Sequence, residues 1–308
     1  MRRVVQRVLP DGTPAIVQPF HVSLKGLESL VLCRDDEDYG IMVKYIAICS
    51  RRKNVLIIIY AVVSNHIHAA VLARKQQDAD AFAQELKRIY SMWFSNKYVE
   101  KGVLRRVDAK AIPLENDWHV RNALAYIPRN AEDNGCAPHD YKWSGFSAMF
   151  RKGAGTLGCR NVAFLTKRER ESIMHTGDNL NKVSWTLDDD GDLTPESFCD
   201  VAYLEQAFNH DASYFYKAIG SVNTSEMKEL LVDAPRRMLP DSEFFKLASD
   251  TCIHWFSQEI ALLPKSKKCR VIPFLWRTRK TTVAQLARVF GMERDEVRDV
   301  LRLPAEKE

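Results

Sequence analysis

The sequence predicts an α+β fold: an antiparallel sheet with helices on one face, followed by a helical region and a basic pair of C-terminal helices. Three observations carry this. Residues 55–73 are apolar almost without relief, and only Ser64-Asn65 breaks the run, so it reads as two strands, 55–63 and 66–73, joined by a tight turn. Helical stretches at 36–52, 78–98 and 118–130 are interleaved with those strands and with two more at 20–24 and 109–114, the last at an edge. An antiparallel sheet covered on one face is the simplest packing for that order. From 194 to 261 the pattern is helical, with Val201/Leu204/Phe208 and Phe244/Phe245/Leu247/Ala248/Cys252 as apolar faces.

Side chains alternate along a strand, so His66 and His68 project together while Ile67 points to the other face. Two imidazoles side by side on a rigid sheet suit a divalent metal, although a bare His-x-His also describes a pair of satisfied core histidines. In the helix at 118–130, Trp118, Arg121/Asn122, Ala125 and Arg129 share one stripe, and Tyr126 and Asn130 stand four residues apart on one face. A tyrosine hydroxyl can attack a phosphodiester, and His66, His68 and Asn130 can hold a metal that polarises the scissile phosphate. Taken alone, Tyr126 reads first as a core or surface tyrosine. Pro128 removes a backbone hydrogen bond from this helix and predicts a kink before Asn130.

Five ordered segments together resemble the single-tyrosine HUH transposases, and within them the REP-associated tyrosine transposases. Phe20-His21-Val22-Ser23-Leu24-Lys25-Gly26 is similar to the opening strand, and Asp35-Asp36-Glu37-Asp38-Tyr39 to the start of the first helix. Val63-Ser64-Asn65-His66-Ile67-His68-Ala69-Ala70-Val71 resembles the double-histidine strand, Tyr126-Ile127-Pro128-Arg129-Asn130-Ala131 the tyrosine helix, and Tyr141-Lys142-Trp143-Ser144-Gly145-Phe146 the closing segment. The resemblance spans about residues 20–150. Ser64 and Ala131 stand where the family usually has proline, and Gly145 where it has serine; none of these changes removes a ligand or the nucleophile.

The resemblance implies a ferredoxin-like, palm-type sheet and a transposase: a metal-dependent single-stranded DNA endonuclease and strand transferase. Tyr126 would be the nucleophile and leave a 5′-phosphotyrosine link, with Mg²⁺ or Mn²⁺ at His66, His68 and Asn130 and single-stranded or hairpin DNA as substrate. On the second helix Lys87, Arg88 and Lys97 are interleaved with Trp93, Phe94 and Tyr98, a pattern that serves phosphate contacts and base stacking or, for the aromatics, core packing.

The remainder of the chain frames that reading. A length of 308 residues suggests two or three domains, and 46% hydrophobic with 28% charged residues is ordinary for a globular protein. Seven scattered cysteines with no Cys-x-x-Cys pair argue against zinc modules and a disulfide framework, and the odd count suits a reducing cytoplasm. Met1-Arg2-Arg3-Val4-Val5-Gln6-Arg7 is basic, but no sustained apolar stretch follows, so neither a signal peptide nor a membrane anchor is expected.

Charge is unevenly placed. Residues 265–303 carry eleven Lys/Arg and four acids, a formal +7, and leave the rest of the chain near −2. A basic module on a near-neutral body is the footprint of nucleic-acid binding, with a solvated face as the bland alternative. Within it, helices at 283–290 and 294–302 flank Gly291-Met292-Glu293, Thr281-Thr282 caps the first, and Leu286, Phe290, Met292, Val297 and Val300 form a small core. The spacing resembles a helix-turn-helix, with Arg294, Asp295, Arg298 and Arg302 along the reading helix and Lys280 and Arg288 as further DNA-binding candidates. A simple helical hairpin is the alternative.

Arg151-Lys152-Gly153-Ala154-Gly155-Thr156-Leu157-Gly158 is the best boundary, and it lacks the ending of a phosphate-binding loop. Asp188-Asp189-Asp190-Gly191-Asp192 reads as a solvated acidic turn and not a calcium loop. The expected division is a transposase-like domain over 1–150, a helical connector over 151–264 and a basic DNA-binding module over 265–308. The expected protein is a monomer or homodimer that also contacts duplex DNA through its C-terminal module. Two other functions fit the same residues: a DNA-binding regulator that no longer cuts, and a metal-dependent nuclease that uses water in place of Tyr126.

Overall fold

The computed structural model describes residues 4–25, 31–102, 104, 107–151, 159–231, 241–279 and 281–303. Gly26, Lys152–Gly158 of the glycine-rich break, and Lys280 lie outside the described residues. Two compact units emerge, Met1–Asn223 and Thr224–Glu308. The stretch read as one connector, 151–264, is therefore shared between them.

The first unit is built on a curled antiparallel sheet. Strand β1 (Val5–Val8) pairs with the start of the long β2 (Pro14–Lys25), whose second half pairs with β4 (His66–Ala73) on one side and β5 (Asp108–Pro113) on the other. Strand β3 (Leu56–Val62) completes the sheet beside β4, with a bulge between Ile57 and Ile59. Helix α1 (Asp36–Lys53) links β2 to β3, and α2 (Gln76–Tyr98) links β4 to β5. Local chemistry sets these helices. Asp35 caps α1 through the Asp38 amide at 3.0 Å, acids fill its first turn, Arg51, Arg52 and Lys53 fill its last, and Asn54 ends it in the left-handed region.

Phe20, Val22, Leu24, Ile67, Ala69 and Val71 share one core with Ile46 and Met42 of α1 and Phe82, Leu86 and Phe94 of α2. The other face is also covered. Helix α3 (Asp117–Arg129) packs on β3 and β4 from that side and sets Tyr126 against His68. The expectation of helices on one face is thus corrected. β3 and β4 are buried from Ile57 to Val62 and from Ile67 to Ala73, and strands apolar in both directions need a layer on each side.

Helices α4 (Lys167–Met174), α5 (Val201–Ala207) and α6 (Ala212–Ser221) belong to the same unit, with a two-stranded ribbon of β6 (Arg160–Asn161) and β7 (Thr186–Leu187). They are tied to the sheet and to α3. The Asp200 amide donates to Ile57 O at 2.6 Å, and Arg7 Nε meets Asp200 at 2.6 Å. Arg121 donates to Ala207 O at 2.9 Å, and Arg129 to Ile219 O at 3.0 Å. The acidic turn at 188–192 is only partly solvated, since Asp192 meets Lys142 at 2.9 Å and Lys44 at 3.9 Å.

The second unit contains α7 (Thr224–Leu231), α8 (Asp241–Phe256), α9 (Lys265–Thr278), α10 (Val283–Phe290) and α11 (Arg294–Leu301). Phe244, Ala248, Cys252, Val271, Leu275, Leu286, Phe290 and Val297 form its core. Thr282 caps α10 by accepting from the Gln285 amide at 3.1 Å, and Gly291, at φ 59°, ends it where a side chain would be strained. All seven cysteines are free. Among the described residues no helix is long and apolar enough to cross a membrane.

Candidate functional site on the histidine face of the sheet

Register places the site. Across β2 and β4, Lys25 pairs with His66, Ser23 with His68 and His21 with Ala70, so these side chains share the face beneath α3. Ala61 of β3 lies opposite His68. With Ala70 and Ser23 it keeps the neighbours small, which leaves room for imidazoles under a helix. Lys110 of β5, opposite Ser23, joins the same face.

Four of the residues singled out in the sequence meet here. The His66 and His68 rings are 4.8 Å apart, and the Tyr126 ring lies edge-on to His68 at 5.3 Å. Asn130 Oδ1 is 3.3 Å from His66 Nε2. The amide is oriented by its own helix end: Nδ2 donates to Tyr126 O at 2.9 Å and Ile127 O at 3.1 Å, which directs the oxygen at the imidazole. Pro128 does not displace Asn130. The helix ends at Arg129 and continues as a tight turn over Asn130–Asn134, so the missing amide falls in the last turn.

The donor set suits a cation. Asn65 Oδ1 lies 2.7 Å from His66 Nδ1, and with that nitrogen donating, Nε2 keeps a lone pair. Two oxygens face it, Asn130 Oδ1 at 3.3 Å and Asp133 Oδ2 at 3.6 Å. Converging lone pairs repel unless a proton or a metal cation lies among them. The His66 nitrogen and the Asn130 oxygen, with the His68 ring 4.8 Å from that of His66, are the mixed N/O donor types that a divalent metal takes. Among the described residues no group of three or more His, Cys, Asp or Glu side chains stands ready as a metal cage, and here an amide oxygen takes the third place.

Buttresses surround this face. Tyr141 donates to Val62 O at 2.6 Å, and Asn134 donates to the Tyr141 hydroxyl at 2.7 Å. Trp143 stacks on Tyr39, and its carbonyl accepts from the Val62 amide at 3.0 Å. Gly145 lies so close that a Cβ would sit 3.3 Å from the Tyr60 amide nitrogen and 3.3 Å from Ile59 Cγ1, so a side chain here would crowd β3. Three other tyrosines, Tyr90, Tyr98 and Tyr141, are engaged in other contacts. Tyr90 donates to Leu32 O at 2.6 Å, Tyr98 to Asp38 at 2.7 Å, and burial pushes both phenols up, that of Tyr98 to about 12. Burial likewise raises Tyr141.

The remaining predicted contacts lie apart from the histidines. Lys87 and Arg88 are on α2, across the sheet, beside a surface cavity of about 590 Å³ lined also by Gln84, Ser91 and Asn96. Lys87 donates to Val107 O at 2.6 Å, and Arg88 grips Glu85 at 2.8 Å. Phe94 is core, and Trp93 and Tyr98 pack against it. In the second unit Arg294 and Arg302 are exposed and Arg298 is half-buried, whereas Arg288 is held by Asp241 at 2.7 and 3.1 Å. Sequence reading missed His21, Lys25, Lys110 and Asp133. The alternation of Phe20, Val22 and Leu24 with His21 and Ser23 was the available signal for the first of these. Searches against protein-family models, curated proteins and solved structures return no match to this chain.

Proposed function

We propose that the chain is a single-tyrosine DNA strand transferase of the HUH type. One observation carries the reading: a His-x-His strand and a Tyr-x-x-x-Asn helix, distant in sequence, meet on one sheet face, with the Asn130 oxygen aimed at His66 Nε2. The connectivity supports it. From β2 to β5 the order is β-α-β-β-α-β, and the strands lie as β5-β2-β4-β3, the arrangement of a ferredoxin-like, palm-type sheet. Helices α10 and α11, joined by three residues, support a helix-turn-helix in which Arg294, Arg298 and Arg302 face duplex DNA. With Arg288 engaged by Asp241, its first role is to fasten α10 to α8.

In this reading the Tyr126 oxygen attacks phosphorus in line. The phenol gives up its proton, the new phosphotyrosine bond forms as the bond to the 3′-oxygen breaks, and the departing strand takes up one proton to end as a 3′-hydroxyl. His66, His68 and Asn130 would hold Mg²⁺ or Mn²⁺, which when bound would neutralise charge on the phosphate oxygens. The phosphotyrosine conserves the bond energy, so an incoming 3′-hydroxyl reverses the step onto new DNA. The substrate is single-stranded or hairpin DNA.

Tyr126 is only 5% exposed, and that burial favours a second reading, a DNA-binding regulator that keeps the fold without cutting. A denaturing gel of the full chain with labelled single-stranded oligonucleotides and Mn²⁺ decides. A covalent protein–DNA adduct is the expected result; free cut DNA means hydrolysis by water, and uncut DNA with retained binding means a regulator.

A further inference from the structure

The geometry points to His21 as a positioning residue that selects the metal-binding tautomer of His68. The inference rests on the reading of His66 and His68 as ligands. His21 is fully buried, and its Nε2 lies 3.0 Å from His68 Nδ1, with ring centroids 5.0 Å apart. Register fixes the contact: His21 stands opposite Ala70, diagonal to His68 and on the same face, where its neighbour across the strand is only a methyl group.

Two neutral imidazoles at hydrogen-bond distance share one proton between the facing nitrogens, so one ring donates and the other accepts. If His68 donates from Nδ1, its Nε2 keeps the lone pair that a metal requires. If His21 donates instead, His68 carries its proton on Nε2 and cannot ligate there until that proton leaves. The ligating arrangement therefore needs His21 as the acceptor. It is the counterpart of Asn65, whose Oδ1 lies 2.7 Å from His66 Nδ1 and leaves Nε2 of that ring facing Asn130. Each ring thus meets a different partner at Nδ1, so Nε2 is the nitrogen that would ligate, the general logic by which outer partners orient a metal-ligating histidine.

A buried histidine that merely fills space predicts none of this, and two measurements separate the possibilities. Nitrogen-15 NMR of the full wild-type chain in EDTA should show His68 protonated at Nδ1 and unprotonated at Nε2; a dominant Nε2–H form overturns the proposal without any variant having to fold. Calorimetric titration with Mn²⁺ alone should show His21→Phe binding about 10–100-fold more weakly than wild type. His21→Gln, whose side-chain oxygen accepts the same proton, should recover most of the loss, and both variants should bind single-stranded oligonucleotide in EDTA as wild type does. Equal Mn²⁺ affinity in wild type and His21→Phe overturns the role of His21 alone. A wild-type chain that binds no Mn²⁺ overturns the metal reading, and this inference with it.

Discussion

The two faces of the central sheet are made by the same strands yet hold together by different physics. On one, Phe20, Val22, Leu24, Ile67, Ala69 and Val71 pack against α1 and α2, and burial of apolar area supplies the stability. On the other, His21, His66 and His68 lie beneath α3, and polar groups there need polar neighbours: His21 Nε2 is 3.0 Å from His68 Nδ1, and His66 Nδ1 is 2.7 Å from Asn65 Oδ1. The contrast is sharpest across three consecutive residues, with Ile67 in the apolar core and its neighbours in the site. A single strand can thus carry a polar cluster on one face while the other anchors it.

Substitutions should respect that division. The largest effect is expected at Tyr126→Phe, which removes one oxygen: adduct formation should fall roughly a thousand-fold or more, with thermal stability within about 1 kcal/mol of wild type. A persistent denaturant-resistant adduct would make another residue the nucleophile and break the assignment of chemistry to the histidine face. Ile67→Ala tests the opposite face. Its side chain is 1% exposed, so stability should drop by about 2–5 kcal/mol in urea titrations, while adduct yield per folded molecule stays near wild type. Selective loss of activity at unchanged stability would mean that the two faces are not separable.

Truncation asks whether the sheet unit holds the whole site. A cut near residue 264 would divide the core that joins Phe244 and Cys252 to Leu275 and Leu286, so the informative chain ends at Asn223. It should still form the adduct at high concentration but bind duplex DNA more weakly. Its salt dependence should also be shallower, losing a log-log slope of about 0.9 for each phosphate contact removed. Undiminished site selection by this shorter chain would place recognition on the sheet unit instead. Arg298→Ala in the full chain separates a base contact, whose loss reduces site preference, from a phosphate contact, whose loss weakens binding to all sequences alike.

The smallest effect concerns acid. Glu85 of α2 is bonded by Arg88 at 2.8 Å and by Arg52 of α1 at 2.9 Å, and Arg88 foremost among these partners holds its carboxyl down at about 2. A depressed carboxyl stabilises the fold above its unfolded value near 4.5 and loses that contribution as pH falls toward 2. After solvent screening the contribution is about 1 kcal/mol or less. Glu85→Gln should therefore lower the urea midpoint at pH 7 and match wild type near pH 2; a gap that persists in acid would show that the carboxylate charge is not what ties α1 to α2.

Much of this architecture was legible from local rules. Periodicity marked residues 66–73 as a strand with His66 and His68 on one side, and Asp35, Thr282 and Gly291 marked helix ends where they occur, because capping and alternation depend on near neighbours. The start of β2, from Pro14, and all of β1 were not legible, since their value lies in pairing with each other across a turn. Nor was a helical layer on the second face of the sheet, which follows from β3 and β4 demanding cover on both faces. Tertiary structure alone decided three further matters. It brought His21 of β2 to His68 of β4, engaged Arg288 with Asp241, and joined residues 160–223 to the sheet through Asp200, Arg121 and Arg129. Each is a contact between residues tens to more than a hundred positions apart, and no local pattern encodes which distant partner a polar group will meet.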